Sequence, residues 1–171
     1  MAQVSFKGKG RKGWPNGKGL LFSDLATVLN WSDLPQGFGR GLDQRRAGLN
    51  AAKRVLMKWA VQLTEEFRDA YPSYGIVLRQ NNSVSNSVLR WRFTTTHEGK
   101  GDVEFDDPRI GSILAGMNRT DALAWVRIEE RRLEINHMVA LITYELTRLR
   151  IVEKRTITTQ RYRRNCRDKR A

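Results

Sequence analysis

The chain has little of what most chemistry on proteins uses: a single cysteine, two histidines, four prolines and no long apolar run. With only Cys166, no disulfide can form within the chain, and its place among arginines reads as incidental. His97 and His137 complete no Cys/His cluster at zinc spacing. No apolar run approaches the roughly 18–20 residues of a membrane span, and the first residues lack the apolar core of a signal peptide, so no membrane association is expected and a reducing cytoplasm is the expected compartment. A phosphate-cradling G-x-x-x-x-G-K-[ST] and a G-x-S-x-G elbow are both absent, and no set of carboxylates converges at nuclease-like spacing. The expectation is therefore a protein that is not an enzyme, with no catalytic residues, no cofactor and no metal.

Acidic side chains are also missing where the basic ones concentrate. Residues 1–19 carry Lys7, Lys9, Arg11, Lys12 and Lys18 and no acid. Residues 148–171 carry ten Lys/Arg against Glu153 and Asp168. The intervening residues 20–147 hold 16 basic and 16 acidic side chains, so the two ends supply the whole net charge of +13. A neutral body with cationic ends fits a folded domain that holds a polyanion, nucleic acid first among them. At 171 residues with 40% hydrophobic content and five Trp, one domain can bury a core without staples.

The pattern along the chain divides it into a basic Gly/Lys arm (1–19), a globular α+β domain (20–155) and a basic C-terminal tail (156–171). Glycines and Pro15 make helix costly in the arm. A short helix is expected after Ser23, with Leu25, Val28 and Leu29 on its apolar side. From about Leu42 to Ala70, apolar residues recur at steps of three and four until Tyr71-Pro72 ends the run. Strands are expected over Tyr74–Gln80 and Val88–Phe93, the second alternating Leu89, Trp91 and Phe93 with Arg90 and Arg92. Arg79 falls on the same open face as those arginines. Segment 94–119 reads as irregular, with a helical turn around Ile110–Leu114. A last helix, capped by Thr120 or Asp121, is expected to reach about Arg155. There Thr156-Ile157-Thr158-Thr159 lowers helix propensity and the cations beyond are expected to fray. The fold class is thus α+β: two long antiparallel helices with a β-hairpin and flexible basic termini. Trp59 and Leu63 on the first long helix should meet the Ile135, Val139 and Ile142 stripe of the last.

Three anchors resemble a family known as a domain of unknown function in bacterial integrative and conjugative elements. They are Phe6-Lys7-Gly8-Lys9-Gly10, the strand Leu89-Arg90-Trp91-Arg92, and the spacing E-x-x-R-x-x-x-N formed by Glu129, Arg132 and Asn136. The chain departs from the pattern where Arg11-Lys12 follows Gly10, and in the loop 97–108 and the cationic tail. The resemblance implies residence on a mobile element, beside genes for DNA processing and transfer, and no assigned activity.

The residues expected to contact nucleic acid are Lys7, Lys9, Arg11, Lys12 and Lys18 with Trp14 in the arm, Arg90 and Arg92 on the strand, and Arg161, Arg163, Arg164 and Arg167 in the tail. Glycines let backbone N–H groups approach phosphate, lysines release counterions, and Trp14 can stack on an unpaired base or fold back on the core. For Arg90 and Arg92 two readings stand: phosphate contact, or pairing with the acids of the nearby loop. Arg132 and Asn136, one turn apart, read as a buried polar pair. Glu134 and His137 form a lone E-x-x-H where a di-metal bundle needs two, so their ordinary role is structural or solvated. His97, Glu98 and the acids of 102–107 read as a solvated loop. DNA is favoured over RNA as partner, an acidic protein partner is the alternative, and the oligomeric state is left open.

Overall fold

The computed structural model describes residues 40–81, 88–94 and 101–168. Helix α1 (Arg40–Ala70) opens with Asp43 in its first turn and closes with Arg68 in its last, each placed to offset the helix dipole. Leu49, Leu56, Ala60, Leu63 and Phe67, spaced by seven, four, three and four, form its buried stripe. Pro72 stops the helix after Tyr71, whose N–H still donates to the Phe67 carbonyl at 2.9 Å. Gly75 takes a left-handed φ of 65°, a conformation side-chain-bearing residues resist, and turns the chain into strand β1.

Strands β1 (Ile76–Gln80) and β2 (Leu89–Phe93) pair antiparallel, with Ile76 opposite Phe93, Leu78 opposite Trp91 and Arg79 opposite Arg90. Period-two alternation sends Ile76, Leu78, Leu89, Trp91 and Phe93 to the core face. A third strand, β3 (Asp102–Val103), adds to β2 and sets Asp102 opposite Arg92. Segment 94–119 is therefore more regular than its sequence suggests: it holds β3 and then helix α2 (Pro108–Gly116). Asp107 caps α2 by accepting from the Arg109 N–H at 2.9 Å, and Pro108 occupies the first turn, where a missing N–H costs nothing.

Helix α3 (Arg119–Asp168) is 50 residues long, about 75 Å at about 1.5 Å per residue. Its cap is Asn118, not Thr120 or Asp121: Asn118 Oδ1 accepts from the Asp121 N–H at 3.0 Å, and Asn118 Nδ2 donates to the Asp121 carboxylate. The helix continues through 156–159 to Asp168. The hydroxyls of Thr156, Thr158 and Thr159 donate to the carbonyls of Val152, Lys154 and Arg155 at 2.9–3.0 Å, so these polar groups are satisfied within the helix.

The two long helices run antiparallel, as the pairs Arg45–Glu145, Lys53–Thr143 and Phe67–Trp125 show. Leu63, Ile135, Val139 and Ile142 are buried in the shared core, while Trp59 is half-buried at its margin. The sheet's apolar face closes one end, around an aromatic knot. Trp91 meets Phe67 edge-on at 4.8 Å and stacks on Trp125 at 6.0 Å, and Trp125 also meets Tyr71 and Tyr74 at 5.5 Å. Among the described residues, no helix is long and apolar enough to cross a membrane.

Candidate nucleic-acid interface

Three of the polar residues singled out on α3, Glu129, Arg132 and Asn136, turn inward. Glu129, Arg132 and Asn136 share one helix face through their three- and four-residue steps, and that face bears on the start of β2. Asn136 Oδ1 accepts from the N–H groups of Val88 and Leu89 at 3.0 and 2.9 Å, while Asn136 Nδ2 donates to the Leu89 carbonyl at 2.9 Å. Arg132 donates through Nη1 to the same carbonyl at 3.2 Å and grips Glu129 through Nε and Nη2 at 2.7 and 2.8 Å. The Trp91 indole N–H donates to Glu129 Oε2 at 2.7 Å. The strand motif Leu89-Arg90-Trp91-Arg92 and the helical E-x-x-R-x-x-x-N are thus two sides of one internal contact. Burial works against the Arg132 charge, but the hydrogen bond and attraction of Glu129, with Glu104 at 3.5 Å, outweigh it and hold the guanidinium above its ordinary value. Arg132 and Asn136 are structural.

The open face of the sheet carries Arg79, Arg90 and Arg92, brought together by the β1–β2 register. Arg90 donates to Asp102 at 2.7 Å, so the acid-pairing reading holds for it, and Arg92 lies across from the same aspartate. One carboxylate in the midst of three guanidinium groups tempers the repulsion that Arg79 opposite Arg90 would otherwise bring. Among the described residues the face carries three guanidinium groups and one carboxylate.

Two further loop acids have structural employment as well. Glu104 reaches Arg132, and Asp107 caps α2 while its carboxylate also accepts from the Arg109 side chain at 2.8–2.9 Å. Those bonds from Arg109, and its charge, hold the Asp107 carboxyl down to about 2. Burial pushes the Glu134 carboxyl up, opposed by the charge of Arg131, while His137, one turn on, is exposed. Among the described residues, no group of three His, Cys, Asp or Glu side chains is placed to hold a metal ion.

The cations that do face outward concentrate on the last turns of α3. Arg161, Arg163, Arg164 and Arg167 are all exposed, as is every other side chain from Ile157 to Asp168. At about 100° per residue, Thr156, Gln160, Arg163, Arg164 and Arg167 fall within about 100° of arc. That arc continues the line of Ile142 and Leu149, which are buried against the body. The face that is apolar upstream becomes cationic past Thr156. The Arg46–Glu153 ion pair ties α1 to α3 just before this change, and the buried Arg45–Glu145 pair does so two turns earlier. A shallow depression of about 510 Å³ beside α1, lined among the described residues by Asn50, Lys53, Arg54, Met57 and Lys58, gathers three further cations.

Lys7, Lys9, Arg11, Lys12, Trp14 and Lys18, the helix expected after Ser23, and His97 with Glu98 lie outside the described residues. Sequence reasoning overlooked Glu129 as the acceptor for Trp91, and the helical state of residues 156–168. For the first, the E-x-x-R spacing was a usable signal. No protein-family model, curated protein or solved structure matches the chain.

Proposed function

We propose that this protein binds nucleic acid, DNA in preference to RNA, through its cationic ends and without chemistry of its own. The observation that carries this reading is the change of face along α3: the stripe that packs the core becomes exposed arginine beyond Thr156. A folding core has no use for Arg161, Arg163, Arg164 and Arg167 on an exposed helix, and each charge lost would cost the fold little. A phosphate backbone does have a use for them, since each contact releases condensed counterions. The sheet arginines Arg79 and Arg92 add positive surface elsewhere on the body. The resemblance at the three anchors is the support for assigning this activity to the maintenance or transfer of a mobile element, and the cytoplasm is the compartment proposed for it.

A second reading has its own support. Ile151, Ile157 and Tyr162 stay exposed among the cations of α3, at 49%, 61% and 66%. An acidic protein partner would use both the charge and that apolar surface, whereas a phosphate backbone uses the charge alone. The two readings separate in a binding series with the full chain against DNA and RNA, single- and double-stranded, across salt. DNA binding with a steep salt dependence supports the first. No binding to any nucleic acid at low salt refutes it and leaves the acidic protein.

A further inference from the structure

We infer that the exposed end of α3, residues 156–168, is an element that enters the major groove of B-form duplex DNA. The inference rests on the nucleic-acid reading and adds to it the form of the ligand and the way it is held.

Shape is the first argument. The end is helix to Asp168, and the three threonine hydroxyls in it are bonded to carbonyls one turn back. Exposure on every side from Ile157 onward leaves a free cylinder about 18 Å long. With side chains, such a cylinder is about 10–12 Å across, which the roughly 12 Å major groove of B-DNA admits and the roughly 6 Å minor groove does not. The major groove of A-form RNA is deep and narrow, and a single strand has no groove at all. A flexible cationic tail would discriminate among none of these.

The distribution of side chains is the second argument. Gln160, Arg163, Arg164 and Arg167 lie on one face and carry the groups that read base edges, Arg donating to guanine O6 and N7, and Gln accepting from adenine N6–H and donating to N7. Arg161 and Lys154 flank that face on one side and Arg155 on the other, where the phosphates that wall the groove would stand. The third argument is direction. The ion pairs Arg46–Glu153 and Arg45–Glu145 fix α3 to the body immediately upstream, so the end leaves the body on a set course.

The test keeps charge constant and breaks the helix. Thr159→Pro removes a helical N–H and clashes with the turn before it, ten residues beyond the buried Leu149. Thr159→Ala keeps the helix. Binding of the full chain and both variants is measured on one sequence as duplex DNA, duplex RNA and single-stranded DNA, with a circular dichroism melt to show that the body is folded. The parent should prefer duplex DNA. Thr159→Pro should weaken that binding by at least about tenfold, the equivalent of one good bidentate base contact, and Thr159→Ala should not. Independently of any variant, bound parent should shield guanine N7, a major-groove atom, from dimethyl sulfate. Duplex binding by Thr159→Pro as tight as the parent's, or equal binding to duplex RNA, overturns the inference while the nucleic-acid reading stands. Absence of binding to all three nucleic acids at low salt overturns both.

Discussion

The indole of Trp91 donates to Glu129 Oε2 at 2.7 Å, and the same oxygen accepts from Arg132 Nε at 2.7 Å. One carboxylate thereby joins the middle strand of the sheet to the long helix, and its charge is neutralised where both partners are buried. A buried acid in this position is tolerable only because every bond is made.

Trp91 and Trp125 stack in parallel, yet replacing each by Phe should have different consequences. Trp91→Phe leaves Glu129 short of a donor in a buried site and should cost about 1–3 kcal/mol beyond the lost volume. Trp125 Nε1 is buried without a hydrogen-bond partner among the described residues, so Trp125→Phe removes an unsatisfied donor along with some volume. Urea unfolding should show Trp91→Phe to be the more destabilised by at least about 1 kcal/mol. Equal midpoints would show that the Trp91–Glu129 bond contributes nothing.

Asn136 bonds three backbone groups of Val88 and Leu89 at the start of β2. Asn136→Ala should cost about 2–4 kcal/mol, since two N–H groups lose an acceptor at the mouth of the hairpin. Asn136→Asp keeps that acceptor but sets a carboxylate oxygen against the Leu89 carbonyl, so it should recover only part of the loss. Amide exchange at Val88 and Leu89 reports the effect directly: both should exchange faster in Asn136→Ala. Unchanged exchange would place the anchor elsewhere.

Asp107 supplies a pH signature. Its carboxyl is held down to about 2 by the Arg109 hydrogen bonds, below the 3.8 of the unperturbed group. A lowered folded-state value means that its contribution to stability is complete above about pH 4 and is lost as pH falls through about 2. Carboxyl chemical shifts should show Asp107 titrating at about 2, and Arg109→Gln should return it toward the ordinary range. Arg109 also lies over the Phe93 ring at 4.4 Å, so a Lys in its place should keep part of the ring contact and lose the bidentate grip.

Residues with a repeating pattern announced their structure, and those that depend on a single distant partner did not. The steps of Leu49, Leu56, Leu63 and Phe67, and the alternation of Leu89, Trp91 and Phe93, are periodic signals that survive any tertiary context. Spacing alone also put Glu129, Arg132 and Asn136 on one face. It could not say that the face would seize the backbone of Leu89, because that contact spans 47 residues of chain. Strand β3 has two residues, too few to alternate. Threonine is a weak helix former, yet residues 156–159 are helical with three hydroxyls turned onto i−4 carbonyls: a weak local preference is overridden inside a 50-residue helix. Charge at the end of α3 was plain in the sequence. Its helical state was not.

The central claim is that the arginines closing α3 bind DNA. The most direct measurement is the salt dependence of duplex binding by the full chain and by the triple variant Arg163→Gln, Arg164→Gln, Arg167→Gln. Three guanidinium groups carried into the groove neutralise phosphate charge whether they bond base edges or phosphate oxygens, so the slope of log K against log salt should become shallower by up to about 2–3. The thermal melt should not move, because all three side chains are exposed. A parent that binds with the same slope and affinity as the variant would contradict the account.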